Sequence, residues 1–148
     1  MDRTPSARTA AAIAALILGL SVAGCGDDGA RPPASPSAAN STPTRDPAAS
    51  DGRVFTADPT IVGAHPIPFT MWTPVGADRI AVGFQTGSPE CYGVDASVRE
   101  TDKTVVVELR AGTRADAVGR MCTMIAVFGT LEVPLKSPVG DRMVLSAV

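Results

Sequence analysis

The chain has 148 residues, a formal net charge of −2 and an apolar content of 45%, which fits one domain of ordinary size and carries no basic footprint for nucleic acid. One histidine and three cysteines leave few donors for a metal centre.

Residues 1–24 read as a targeting segment and drop out of fold reasoning. Arg3 and Arg8 give a weakly positive start, Ala10 to Leu20 is an unbroken apolar run of 11 residues, and Ser21-Val22-Ala23-Gly24-Cys25 follows. The run is too short for a membrane span, which needs about 20 apolar residues. It suits the core of a secretory signal. Arg3 and Arg8 are not adjacent, which argues against a twin-arginine signal.

Val22-Ala23-Gly24-Cys25 resembles the lipobox of bacterial lipoproteins, with valine where that family most often has leucine. The resemblance implies a diacylglycerol on the Cys25 thiol, cleavage just before it, and a chain held at the cell membrane facing outside the cytoplasm. Two acyl chains, at about 0.8 kcal/mol per buried methylene, suffice for stable anchoring. The alternative is an ordinary signal peptide with a chance cysteine. Removing residues 1–24 takes away two cations and one anion, leaving the mature chain near −3.

The anchor also accounts for the odd cysteine count. Lipid on Cys25 leaves Cys91 and Cys122 as a pair in an oxidising compartment, where a disulfide is expected. The alternative is two free buried thiols. A bridge would close 30 intervening residues, worth roughly 3 to 4 kcal/mol by chain entropy.

Residues 25–52 are expected to be the lipidated cysteine and a disordered tether. Of the 27 residues after Cys25, 20 are Gly, Ala, Pro, Ser or Thr. Such a stretch has little apolar surface to offset its ordering entropy. Its upper reach is roughly 90 Å.

Residues 53–148 are expected to form an all-β domain, a small antiparallel β-sandwich or sheet with one disulfide. Ile80, Val82 and Phe84 alternate with smaller or polar residues, as do Val94, Ala96 and Val98, then Val105, Val107 and Leu109 (with Val106 the apolar exception), then Leu131, Val133 and Leu135. A last strand is expected near Arg142 to Ser146. This period of two is the strand signal. The second and third runs should pair about Asp102-Lys103. Facing parity sets Val98 opposite Val107, Ala96 opposite Leu109 and Asp95 opposite Arg110. Thr113 to Asp116 resembles a capping box with Gly119 as a stop, so residues 114–118 are either a single helical turn or a loop.

The strand pattern, with Gly87-Ser88-Pro89-Glu90-Cys91 before the hairpin, the Cys91 to Cys122 spacing, and Pro134-Leu135 and Pro138-Val139-Gly140-Asp141-Arg142 near the end, resembles a group of small actinobacterial lipoproteins over about residues 80–146. That resemblance implies the fold and the location and carries no activity.

No catalytic residue emerges. His65 lies in Gly63-Ala64-His65-Pro66, an expected loop, with no second histidine to complete a metal site and no G-x-S-x-G elbow. Gly83, Gly87 and Gly93 do not form a phosphate loop. Glu90, Asp95, Glu100 and Asp102 cluster in sequence, but the paired carboxylates of a glycosidase need a cleft, and a solvated strand face is the simpler reading. Trp72 and Tyr92 are the exposed aromatic candidates for ligand binding, and Pro66 to Pro74 and Gly112 to Met121 the candidate binding loops. These observations lead to a non-enzymatic binding or structural module of the cell envelope. It needs no cofactor or metal beyond the covalent lipid, and its partners are the membrane and an envelope protein or polymer. The alternative is a hydrolase or ligand carrier acting on envelope polymers.

Overall fold

The computed structural model describes residues 39–148. Cys25, the expected targeting segment and the first part of the expected tether lie outside them. Ten strands follow in chain order: β1 (Asn40–Ser41), β2 (Thr44–Arg45), β3 (Arg53–Phe55), β4 (Val62–Pro66), β5 (Phe69–Pro74), β6 (Arg79–Thr86), β7 (Tyr92–Glu100), β8 (Thr104–Thr113), β9 (Val127–Pro134) and β10 (Met143–Ala147). The fold is all-β, with two five-stranded sheets and a disulfide between Cys91 and Cys122, whose Cα atoms are 6.0 Å apart.

In the first sheet β8 is central. β7 pairs with its whole length on one side. On the other side β10 takes the first half and β4 the second, with β1 outside β10. The second sheet runs β2-β5-β6-β9-β3. Both sheets are mixed, not purely antiparallel as expected. β10 lies parallel to β8, β2 to β5 and β3 to β9. The cause is topological. The segment after β9 crosses from one sheet to the other, so β10 enters alongside β8 in the same direction. β1 and β2 likewise belong to different sheets, and the chain after β3 bridges Ala57 to Val94 in the first sheet. These crossings cover open sheet edges that would otherwise present unpaired backbone groups.

The core lies between the sheets. Phe69, Trp72, Ile80, Val82, Phe84, Leu131 and Val133 from one sheet meet Val94, Val105, Val107, Leu109 and Val144 from the other. The β7–β8 register is the expected one: Val98 opposite Val107, Ala96 opposite Leu109, Asp95 opposite Arg110. The last pair makes no ion pair. The Arg110 guanidinium instead lies 4.0 Å from Glu108. Glycine is needed at position 129, where a Cβ would come within 2.7 Å of Phe55 and 2.8 Å of Phe84. Its absence lets those two rings meet at 5.5 Å, tilted by 58°.

The expected tether ends too late in the chain, because residues 40–52 belong to the folded body. β1 and β2 add to the two sheets, and Pro43 between them is buried. A 3₁₀ turn follows over Pro47–Ser50. Asp46 caps it by accepting a 2.9 Å bond from the Ala48 amide, and Pro47 opens it. The turn packs Ala49, fully buried, onto the outer side of β6. Ala81 and Gly83 are small there, and a Cβ on Gly83 would come within 3.2 Å of the Ala49 Cα. The segment is apolar-poor but docks through edge hydrogen bonds and one methyl group, which composition alone does not reveal.

One buried polar contact joins the sheets. Ser146 on β10 is fully buried, and its Oγ accepts a 3.2 Å bond from the Phe69 amide at the start of β5. A register shift between Phe69 and Met71 accompanies it. Ser146→Ala removes the acceptor and strands a buried N–H. The variant is expected to lose about 1–3 kcal/mol, read as a lowered urea midpoint. A loss under about 0.5 kcal/mol, the range of an ordinary surface change, would contradict this role.

Candidate functional site: an apolar loop held by the disulfide

β7 begins beside Cys91, and β8 ends opposite that point, with Tyr92 facing Thr113. The Arg114 amide then bonds the Cys91 carbonyl at 2.9 Å. A single 3₁₀ turn over Ala115–Ala117 follows. The capping box is not formed: Arg114 occupies the cap without a side-chain bond. Its guanidinium instead grips Asp116 through two bonds of 3.0 and 3.2 Å. Gly119 takes φ of 81°, a left-handed conformation that suits glycine. From there residues 120–126 run without secondary structure to β9, and Cys122 ties their middle to Cys91.

This loop is unusually apolar for a surface. Val118, Met121, Met124 and Ile125 are all exposed. Arg120 is its one charged residue, and no acidic residue occurs from Ala117 to Leu131. Of the eight large apolar side chains exposed among the described residues, Val62 also sits at this end, opposite Thr113. A contiguous exposed apolar patch marks an interaction surface, and methionine suits one because its flexible thioether adapts to irregular partners.

Beside the loop lies a hollow of about 370 Å³ floored by Thr86, Gly87 and Tyr92 and walled by Met124 and Ile125. The Tyr92 hydroxyl approaches the Met124 sulfur at 3.8 Å. Its ring covers Gly87, where any Cβ would overlap it. A second hollow of about 320 Å³ lies across Tyr92, bordered by Asp58, Pro89, Gly93 and Arg114. Asp58 accepts bonds from the Thr60 hydroxyl at 2.6 Å and amide at 2.9 Å. These bonds hold its carboxyl below the usual aspartate range. The hydrogen bond from Arg114 does the same for Asp116. Both groups are therefore anionic at neutral pH, and Arg114 is neutralised in part by its partner.

Tyr92, one of the two aromatic candidates, is thus half-buried at the junction of two hollows. Trp72, the other, is not exposed. It lies in β5 with 8% of its surface accessible, packed in the core, and the Arg45 guanidinium sits 5.4 Å from its ring centroid. The expected loop Pro66 to Pro74 is mostly this strand. Gly112 to Met121 does contain the start of the apolar loop, which continues to Ala126. His65 is exposed as expected but stands on β4, not in a loop, with Nδ1 3.3 Å from the Gly63 carbonyl.

Glu90 and Glu100 lie at opposite ends of β7. Glu90 precedes β7 and accepts a 2.6 Å bond from Ser88. Glu100 closes the nine-residue β7, ten positions on, about 30 Å away along an extended chain. There it joins Arg142 at 2.7 Å. The exposed apolar residues of this candidate site that pattern reading missed are Met124 and Ile125. Met-Cys-Thr-Met-Ile-Ala-Val-Phe is a largely apolar run without a clean alternation, and the cysteine near its start is the one sign that it is held in place from outside a sheet. No family model matches the chain, and no curated protein or solved structure is significantly similar to it.

Proposed function

We propose that the chain is a lipid-anchored module of the cell envelope, held outside the cytoplasm through Cys25, that acts by binding and not by catalysis. The observation that carries this reading is the apolar loop from Val118 to Ile125, displayed on a disulfide. A bridge of this kind belongs to an oxidising compartment. It also engages both cysteines other than Cys25, which leaves one thiol, in the lipobox, for lipid.

Globomycin, which inhibits the lipoprotein signal peptidase, tests the location. In a bacterium expressing the chain, it is expected to cause accumulation of a precursor larger than the mature form by residues 1–24 and one processing step. Unchanged processing in its presence would overturn the reading.

A further inference from the structure

We propose that the apolar loop docks into the lipid surface to which Cys25 is anchored, making a second, non-covalent membrane contact that orients the domain. The inference rests on the lipid-anchor reading above and names the partner that its binding surface takes.

The direction of the chain carries the argument. β8 runs towards the disulfide, since Thr113 at its end faces Tyr92 beside Cys91. β10 is parallel to β8, and β1 is antiparallel to β10. The ladder extends one step further, with the Val148 amide bonding the Ala39 carbonyl at 3.2 Å. Followed backwards from Asn40, the chain therefore heads towards the end of the sandwich that bears Cys91, Cys122 and the loop. Fourteen residues lie between Cys25 and Asn40, a span of at most about 50 Å. The described chain thus begins by leaving the sheet towards the end that bears the apolar loop, and the span to Cys25 is short enough to keep that end within reach of the anchored lipid.

Chemistry agrees with placement. An interfacial segment combines apolar side chains that enter the acyl boundary with cations that meet anionic headgroups, and it avoids acids. Val118, Met121, Met124 and Ile125 supply the first and Arg120 the second. Asp58, Glu90 and Asp116 flank the same end, Asp116 paired with Arg114, so the docking face is the loop itself. Among the described residues, the opposite end carries no comparable run of exposed apolar residues. There the β7–β8 turn carries Asp102 and Lys103, and Arg142 and Glu100 are paired. Docking would point that polar end away from the membrane.

Methionine oxidation reads the pose within one molecule. Met121 and Met124 are 102% and 91% exposed, whereas Met143, opposite Thr104 at the far end, is 55% exposed. A domain standing free of the bilayer is therefore oxidised first at Met121 and Met124. The lipidated mature protein is reconstituted into vesicles of phosphatidylethanolamine and phosphatidylglycerol, recovered by flotation and treated with hydrogen peroxide. Sulfoxide formation is followed at each site by peptide mass spectrometry. The expected result is an inverted order, with Met143 oxidised at least fivefold faster than Met121 and Met124. Flotation with Met121 and Met124 oxidised first overturns the docking and leaves the anchor standing. Protection that arises only when other envelope proteins are added assigns the loop to a protein partner and also overturns it. A protein that does not float overturns the anchor and the docking together.

Discussion

Replacing Cys91 and Cys122 by alanine should lower the unfolding free energy by roughly 3–4 kcal/mol. The two cysteines are 31 positions apart. Cutting the bridge releases that loop in the unfolded chain and raises its entropy. The folded state also loses a tie between its sheets. Cys91 leads into β7 in one sheet, while the loop around Cys122 leads into β9 in the other. Residues 120–126 have no strand pairing of their own, so the bridge is what fixes their position. For a body of this size the loss corresponds to a fall in Tm on the order of 12–25 °C. Thermal melts of the oxidised protein and the double variant check it. A shift under about 5 °C would mean that the bridge contributes little beyond local order.

The second large effect is expected at the opposite end. Glu100 and Arg142 are paired at 2.7 Å, with 10% and 11% of their side chains exposed. The Lys136 amide also bonds Glu100 at 2.8 Å. The same guanidinium bonds the carbonyls of Ser137 at 2.7 Å and Pro138 at 2.8 Å. Arg142 thus gathers the segment between β9 and β10 and fastens it to the end of β7. Removing the cation leaves a largely buried carboxylate without its counter-charge. Arg142→Ala is expected to cost about 2–3 kcal/mol, between the value of a charged hydrogen bond and that of a broken buried pair.

This latch also sets an acid limit. The Lys136 amide and then the Arg142 side chain hold the Glu100 carboxyl below its ordinary value of 4.5. A carboxyl depressed in the folded state stabilises it fully above the unfolded value and loses that contribution as pH falls through the folded one. Stability of the native protein should therefore decline below about pH 4.5. In Glu100→Gln part of that decline should vanish, although the variant is weaker at neutral pH. Urea midpoints measured from pH 7 to pH 3 decide it. Parallel slopes for the two proteins would assign the acid sensitivity to other groups.

How far the sequence revealed these features depended on whether pattern or context decided them. The β7–β8 hairpin was legible because Val98 and Val107 lie on one face of an unbroken alternation, and a one-residue slip would expose both. Trp72 was not. The register shift between Phe69 and Met71 inserts Thr70, so Phe69 and Trp72, three apart, both turn inward. A bulge breaks the period of two on which strand reading rests. Pro66 and Pro74 deepened the error by marking a loop, although each ends a strand. Residues 40–52 read as tether because edge pairing and the fit of Ala49 over Gly83 leave no mark on composition. The Pro138-Val139-Gly140-Asp141-Arg142 signature was visible without its reason. Its arginine bonds the carbonyls of its own loop, and Gly140 takes φ of 51° within it. The apolar loop was hidden because exposure is a property of the neighbours, not of the residues.

The proposed lipid on Cys25 underlies both the proposed location and the proposed orientation of the domain, and an intact mass tests it most directly. The chain isolated from the membranes of an expressing bacterium should begin at Cys25 and carry the added mass of a thioether-linked diacylglycerol, with Cys91 and Cys122 bridged. A chain recovered from the soluble fraction, cut elsewhere and with Cys25 unmodified, would contradict the account.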